Sequence, residues 1–102
     1  MIEEIQFINH WLLSKDPYYM RKLGVDKSYF VALKDVVEWV EKFRDEMNGA
    51  LPSPETVATQ FPDFKVLSEL DPIEYVVNFL REQRAYMDYR PILTSNALLV
   101  NE

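Results

Sequence analysis

Apolar side chains recur every three or four residues along most of the chain, which is the spacing of a buried face on an α-helix. The pattern predicts helices at about 2–14, 17–23, 28–48, 54–60 and 72–90, and a further helical segment at 92–100. Period-two alternation and the hairpin dipeptides Asn-Gly and Asp-Gly are absent from the sequence, so strands are not indicated. The prediction is an all-α protein, a small bundle of five to six helices.

Proline and glycine mark where these helices begin and end. A capping side chain stands directly before a proline at three places: Asp16-Pro17, Ser53-Pro54 and Asp71-Pro72. Each pair is typical of a helix N-terminus, because proline is well suited to the first helical turn. Glu74 is spaced to complete a capping box with Asp71. Gly24 and Gly49 each follow an apolar-periodic stretch, and we expect them at the left-handed C′ position that closes a helix.

The two long predicted helices differ in how many apolar faces they have. The 28–48 helix has one stripe, formed by Tyr29, Leu33, Val36, Val37, Val40, Phe43 and Met47, with charged residues opposite. The 72–90 helix has an aliphatic stripe of Ile73, Val76, Val77, Leu80 and Met87 and, on the other side, an aromatic stripe of Tyr75, Phe79, Tyr86 and Tyr89. The aliphatic stripe is expected in the core. The aromatic stripe then needs either the 92–100 segment folded back or another chain, since exposed aromatic patches are typical of interfaces.

The first helix shows the same feature more weakly. Ile2, Ile5, Ile8 and Leu12 lie on one side, and Phe7 and Trp11 form an i,i+4 pair on the other. Two interpretations are open for this pair. The bundle surrounds the helix, or Phe7 and Trp11 form a second patch in a subunit contact.

Charge and composition narrow the possible functions. The 102 residues include 11 Lys+Arg and 17 Asp+Glu, for a net charge of −6, and segment 51–75 alone carries −4. This balance argues against direct binding of nucleic-acid phosphates and leaves the acidic segment to face a basic partner or water. The absence of cysteine excludes disulfides and thiolate zinc sites and suits a reducing cytosol. No leader pattern and no membrane-length apolar run occurs, so we expect a cytoplasmic protein that does not contact membranes.

The sequence offers little catalytic chemistry. The single histidine, His10, lies on the polar edge of the first helix with no apparent partner for a triad. Acidic groups around residues 38–45 and 69–74 lack the spacing of an EF-hand or a His-containing metal motif. Neither glycine belongs to a phosphate-binding loop. The only mixture of basic and aromatic residues is Arg81, Arg84 and Arg90 with Tyr86 and Tyr89, a weak signal for single-stranded nucleic acid. We therefore expect no catalytic residue, cofactor or metal.

The order of these elements resembles the N-terminal domain of DnaB-type hexameric replicative helicases, in a phage-like version. Ile2 to Leu13 resembles the opening helix of that family, and Asp26-Lys27-Ser28-Tyr29-Phe30 resembles the acidic and aromatic entry to its next long helix. Leu33 to Phe43 resembles the apolar register of that helix. The turn Gly49-Ala50-Leu51-Pro52-Ser53-Pro54-Glu55-Thr56-Val57 and the start Pro72-Ile73-Glu74-Tyr75 of a helical hairpin also resemble the family.

The resemblance implies an all-helical, non-catalytic domain whose hairpins pair with other copies to form a collar on a hexamer that docks primase or a loader. It implies a single domain over 1–102, with a globular head at 1–70 and a hairpin arm at 72–102. That arm is shorter than the usual hairpin of the family, and the family's ATPase domain is absent from the sequence. The expected interface residues are Tyr75, Phe79, Tyr86 and Tyr89, with Phe7 and Trp11 as the second patch.

Two other classes remain open. A small phage or bacterial adaptor would bind a replication factor, as a helicase loader or inhibitor does, through the acidic 51–75 segment. An enzyme using buried carboxylates is the third class, and metal-dependent stabilisation would be its signature.

Overall fold

The computed structural model describes residues 2–86, and every regular element within this range is helical. The α-helices are α1 (Ile2–Ser14), α2 (Tyr19–Lys22), α3 (Lys34–Glu46), α4 (Pro54–Gln60) and α5, which begins at residue 73 and is described as far as residue 86. A 3₁₀ turn at Lys27–Tyr29 lies between α2 and α3. The predicted all-α class is confirmed. The predicted 92–100 segment lies outside the described residues.

α1 lies at the centre of the bundle. Eight of its 13 residues are buried, and three of these are the polar residues Glu4, Gln6 and Asn9. The Phe7 ring packs 5.6 Å from the Phe30 ring and 6.0 Å from the Tyr19 ring, measured between centroids. α1 therefore packs into the core on more than one side, and its buried polar side chains contact neighbouring segments. The core to which α1 contributes consists of Ile5, Phe7, Ile8, Trp11, Leu12, Met20, Val25, Phe30, Leu33, Val36, Val37, Val40, Val57, Phe64, Val76, Val77 and Leu80.

The short helix α2 is fixed at both ends by the residues that the sequence indicates, although it begins later than predicted. The Asp16 carboxylate accepts hydrogen bonds from Tyr18 N at 2.9 Å and from Lys22 Nζ at 2.6 Å. The Lys22 hydrogen bond, followed by that from Tyr18, holds the pKa of Asp16 below its usual value. At the other end Gly24 has φ +69°, and Val25 N donates to the Met20 carbonyl at 2.9 Å. This is a Schellman closure with Gly24 at C′, as predicted.

The predicted 28–48 helix is wrong at its beginning, because residues 30–33 are not helical. The Glu4 carboxylate reaches across from α1 and accepts hydrogen bonds from the backbone N–H groups of Val31, Ala32 and Leu33, at 3.1, 3.3 and 2.9 Å. Glu4 is 1% exposed. The Glu4 carboxylate thus holds residues 31–33 outside the helix, and α3 begins at Lys34, directly after its N-cap residue Leu33.

The far end of α3 also differs slightly from the prediction. Gly49 N donates to the Arg44 carbonyl at 2.8 Å, which makes Asn48, with φ +55°, the C′ residue. Gly49, expected at C′, follows it with φ +92°. Asparagine tolerates the left-handed conformation better than most residues, so the sequence pair Asn48-Gly49 closes the helix one residue earlier than predicted.

α4 confirms the capping prediction at Ser53-Pro54. The Ser53 hydroxyl accepts a hydrogen bond from Thr56 N at 3.2 Å, and Pro54 occupies the first turn. Val57 is fully buried and joins α4 to the core. The bounds Pro54–Gln60 agree with the predicted range.

Polar side chains of α1 hold the irregular segment 61–72 against the bundle. Asn9 Nδ2 donates to the Lys65 carbonyl at 2.9 Å, and Asn9 Oδ1 accepts from Leu67 N at 3.2 Å. Gln6 pairs twice with Asp71: its Oε1 accepts from the Asp71 backbone N–H at 2.7 Å, and its Nε2 donates to the carboxylate at 3.0 Å. These bonds replace the secondary structure that segment 61–72 lacks.

Asn9→Ala is expected to lower the free energy of unfolding by about 2 kcal/mol, because the Lys65 carbonyl and the Leu67 N–H would lose their partner. Urea denaturation measures this difference. Gln60→Ala, at an exposed position at the end of α4, is the control and should change stability by less than about 0.5 kcal/mol. Equal effects of the two substitutions would show that Asn9 does not hold the segment.

Candidate functional site

The candidate site is the outward face of α5. Val76, Val77 and Leu80 are buried and seat one side of this helix in the core. On the other side Tyr75 is 51% exposed and Tyr86 is 62% exposed, with Phe79 half-buried between them. Their spacing, i, i+4 and i+11, aligns the three rings along one line of the helix. We call this row, Tyr75, Phe79 and Tyr86, the aromatic face; Tyr89, the fourth predicted member, lies outside the described residues.

Hydrogen bonds near its C-terminal half set the orientation of α5. Gln83 Nε2 donates to Glu4 Oε2 at 3.3 Å and to the Tyr29 carbonyl at 3.1 Å. The Arg84 guanidinium lies 4.9 Å from the centre of the Tyr29 ring, in cation–π contact. Arg81 Nη2 donates to the Leu23 carbonyl at 3.0 Å. These polar residues lie four or seven positions after the buried Val76 and Val77, so they continue the side of α5 that faces the bundle. Their contacts hold that side against the bundle and leave the aromatic face directed outward.

The first turn of α5 packs close to α2. Burial, and after it the negative charge of Glu74, raises the pKa of Tyr19. A recess of about 300 Å³ between the two helices is lined by Leu23, Ile73, Val77 and polar residues of α5. The first turns of the predicted hairpin arm therefore pack against the core of the predicted head.

Phe7 and Trp11 do not form a surface patch, and their assignment to an interface is wrong. Both are 0% exposed within a single chain. Phe7 contacts the rings of Tyr19 and Phe30. Trp11 Nε1 is buried and has no hydrogen-bond partner among the described residues. The alternative interpretation, a helix surrounded by its own bundle, describes both residues.

Two further sequence expectations concern polar groups near the start of α5. His10 is half-buried and its Nε2 lies 2.8 Å from the Asp71 carbonyl oxygen, so it takes part in holding segment 61–72. Asp71 is not the cap of α5. The Pro72 carbonyl accepts the first helical hydrogen bonds, from Tyr75 N and Val76 N, while the Asp71 carboxylate is held by Gln6. Packing against α1 has moved the cap by one residue.

The described carboxylates do not converge on a metal. Within residues 2–86 no group of three His, Cys, Asp or Glu residues could hold an ion. Glu38 lies 3.9 Å from Lys27, and Asp45 accepts from Arg44 Nε at 3.2 Å. Asp26 caps the 3₁₀ turn, and its hydrogen bond from the Ser28 hydroxyl lowers the pKa of this carboxyl. These charges have structural partners in the fold.

A cleft with a volume of about 710 Å³ lies between α2 and the end of α3. Arg21, Asp26, Glu41, Arg44 and Asp45 contribute charges of both signs to its walls. Arg44 also donates to the Pro17 carbonyl at 3.2 Å. Hydrophobic periodicity does not predict this cleft, because the cleft forms where the ends of two helices meet.

No helix in residues 2–86 is long and apolar enough to cross a bilayer. Comparison with known proteins returned no matching family model, no matching curated protein and no matching solved structure.

Proposed function

We propose that this chain is the non-catalytic N-terminal domain of a DnaB-type replicative helicase, which associates with copies of itself and docks primase or a helicase loader. One observation carries the proposal: α5 is anchored by buried aliphatic residues while Tyr75 and Tyr86 remain exposed on its other side. A helix that is buried on one side and exposes aromatic rings on the other can make a second apolar contact, with another chain. In the proposed assembly, α5 of one copy packs against α5 of another.

The family resemblance supports the same proposal from the sequence. The motifs that resemble the helicase domain include the Asp26 to Phe30 entry, the Gly49 to Val57 turn and the Pro72 start of the hairpin. In the helicases that it resembles, the paired hairpins form a collar on the hexamer, and the ATPase is a separate domain. In this proposal the helicase acts in the cytoplasm, and its N-terminal domain binds proteins rather than nucleic acid.

The helicase assignment is tested by sequencing the native reading frame beyond the codon for Glu102. The proposal predicts that the frame continues into an ATPase domain with a Gly-x-x-x-x-Gly-Lys-Ser/Thr loop, the backbone of which cradles phosphates. A stop codon immediately after Glu102 would contradict the helicase assignment.

The second candidate is a free-standing adaptor that binds a replication factor through the acidic 51–75 segment. The observation that favours it is that all five carboxylates of this segment are exposed: Glu55, Asp63, Glu69, Asp71 and Glu74. The dependence of binding affinity on salt concentration distinguishes the two functions. Docking through these carboxylates should weaken steeply between low and physiological salt, whereas self-association through aromatic rings should change little.

A further inference from the structure

A second apolar surface lies where α3 meets the end of α4. The Trp39 ring is 5.7 Å from the Phe43 ring and 5.8 Å from the Phe61 ring, measured between centroids. All three rings are half-buried, and Met47 at the end of α3 is 53% exposed. We call these four residues the α3 surface. It shares no residue with the aromatic face of α5.

The α3 surface contains a recess that fits one apolar side chain. The recess has a volume of about 160 Å³ and is lined by Trp39, Lys42, Phe43, Glu46 and Met47. A cavity of about 150 Å³ in another protein holds one benzene molecule. Tryptophan, phenylalanine and methionine are enriched at the centres of protein interfaces, and methionine adapts its shape to different partners. The recess is therefore suited to anchor one side chain of a partner.

Carboxylates outnumber basic side chains in the part of the chain that forms the α3 surface, and the recess itself is lined by one of each, Glu46 and Lys42. Residues 34–63 contain seven carboxylates and three basic side chains. Asp35 lies one helical turn before Trp39, Glu46 lines the recess, and Asp63 follows Phe61 by two residues; all three are exposed. Ion pairs in this region join Lys27 to Glu38 and Arg44 to Asp45, and none within residues 2–86 engages those three carboxylates. A positively charged partner would be attracted to this excess of carboxylates.

We propose that the α3 surface binds a basic amphipathic helix of a partner protein. One apolar residue of that helix enters the recess, and its lysines or arginines face Asp35, Glu46 and Asp63. This is the helix-in-groove mode of recognition. Residues 2–86 contain no strand and so offer no sheet edge to which an extended peptide could add. The proposal does not depend on self-association through α5.

The test uses a synthetic amphipathic peptide of leucine and lysine, with leucines at helical i, i+3, i+4 and i+7 spacing, titrated into the full chain. Calorimetry gives the affinity, and tryptophan fluorescence is expected to shift to shorter wavelength as the peptide covers Trp39. The site variant combines Glu46→Lys with Met47→Lys, both at exposed positions. Basic residues are favourable near the C-terminus of a helix, so α3 should remain folded.

The control variant combines Glu69→Lys with Leu13→Lys, which makes the same changes in charge and polarity at exposed positions elsewhere. The site variant should raise the dissociation constant by about tenfold or more, and the control variant by less than about twofold. Equal weakening by the two variants would overturn the proposal, because binding would then be diffuse attraction to an acidic protein. Failure of the unmodified chain to bind, or equally tight binding of a leucine and glutamate peptide, would also overturn it.

Discussion

Glu4→Ala is expected to lower the free energy of unfolding by about 3 kcal/mol, because three backbone N–H groups lose a charged acceptor. These groups belong to Val31, Ala32 and Leu33, and the Gln83 amide loses the same partner. Val31 and Ala32 are exposed and their N–H groups can turn to water, whereas Leu33 is 1% exposed. The loss of unfolding free energy is therefore smaller than the sum for three fully buried hydrogen bonds to a charged group. Urea denaturation followed by circular dichroism measures it.

Glu4→Gln is the informative companion to this substitution. Glutamine keeps one carbonyl oxygen as an acceptor and loses the charge, so its effect should be about half that of alanine. Glu69→Ala, at an exposed glutamate, is the control and should stay within about 0.5 kcal/mol of the unmodified chain. If Glu4→Ala were no more destabilising than Glu69→Ala, then Glu4 would not hold the backbone that precedes α3.

Phe7→Ala is expected to cost about 4 kcal/mol of unfolding free energy, the usual cost of removing a buried phenylalanine. The Phe7 ring is fully buried and connects α1 to Tyr19 and Phe30. For a chain of about 100 residues, each kcal/mol corresponds to about 4–8 °C in Tm. The melting temperature should therefore fall by about 15 °C or more, and differential scanning calorimetry measures the change.

Two further substitutions keep this prediction testable if Phe7→Ala fails to fold. Phe7→Leu retains most of the apolar volume and should lose less stability than alanine. Leu13→Ala, on the same helix at a position 58% exposed, should leave Tm almost unchanged. A small effect of Phe7→Ala on Tm, accompanied by loss of oligomer mass, would restore Phe7 to an interface and contradict its place in the core.

Local signals predict the helix ends well where the cap is made by neighbouring residues. Ser53-Pro54 starts α4 and Gly24 closes α2 as predicted. Prediction fails where a distant side chain intervenes. Glu4 interrupts the predicted 28–48 helix from 27 residues away, and Gln6 draws Asp71 away from the cap of α5. Such hydrogen bonds leave no periodic pattern, so hydrophobic spacing cannot reveal them.

The candidate site was predictable only in part. Two apolar stripes on one helix indicate that one of them lies outside the core, which is why the sequence predicts the exposure of Tyr75 and Tyr86. The same reasoning misplaces Phe7 and Trp11, because α1 is central and a central helix is apolar on more than one side. The α3 surface is not predicted, because Phe43 and Met47 belong to the single apolar stripe of the 28–48 helix, Trp39 lies beside that stripe, and Phe61 comes from another segment.

The solution mass of the chain tests the aromatic face of α5 most directly. Sedimentation of the unmodified chain should give a dimer or a larger species, and Tyr75→Ala combined with Tyr86→Ala should give a single chain of 12.1 kDa. Both tyrosines are exposed, so the variant is expected to fold. The control is Tyr18→Ala, which removes a tyrosine that is 59% exposed and lies outside α5. This substitution should leave the mass unchanged. A double variant with the same mass and the same Tm as the unmodified chain would contradict self-association through this face.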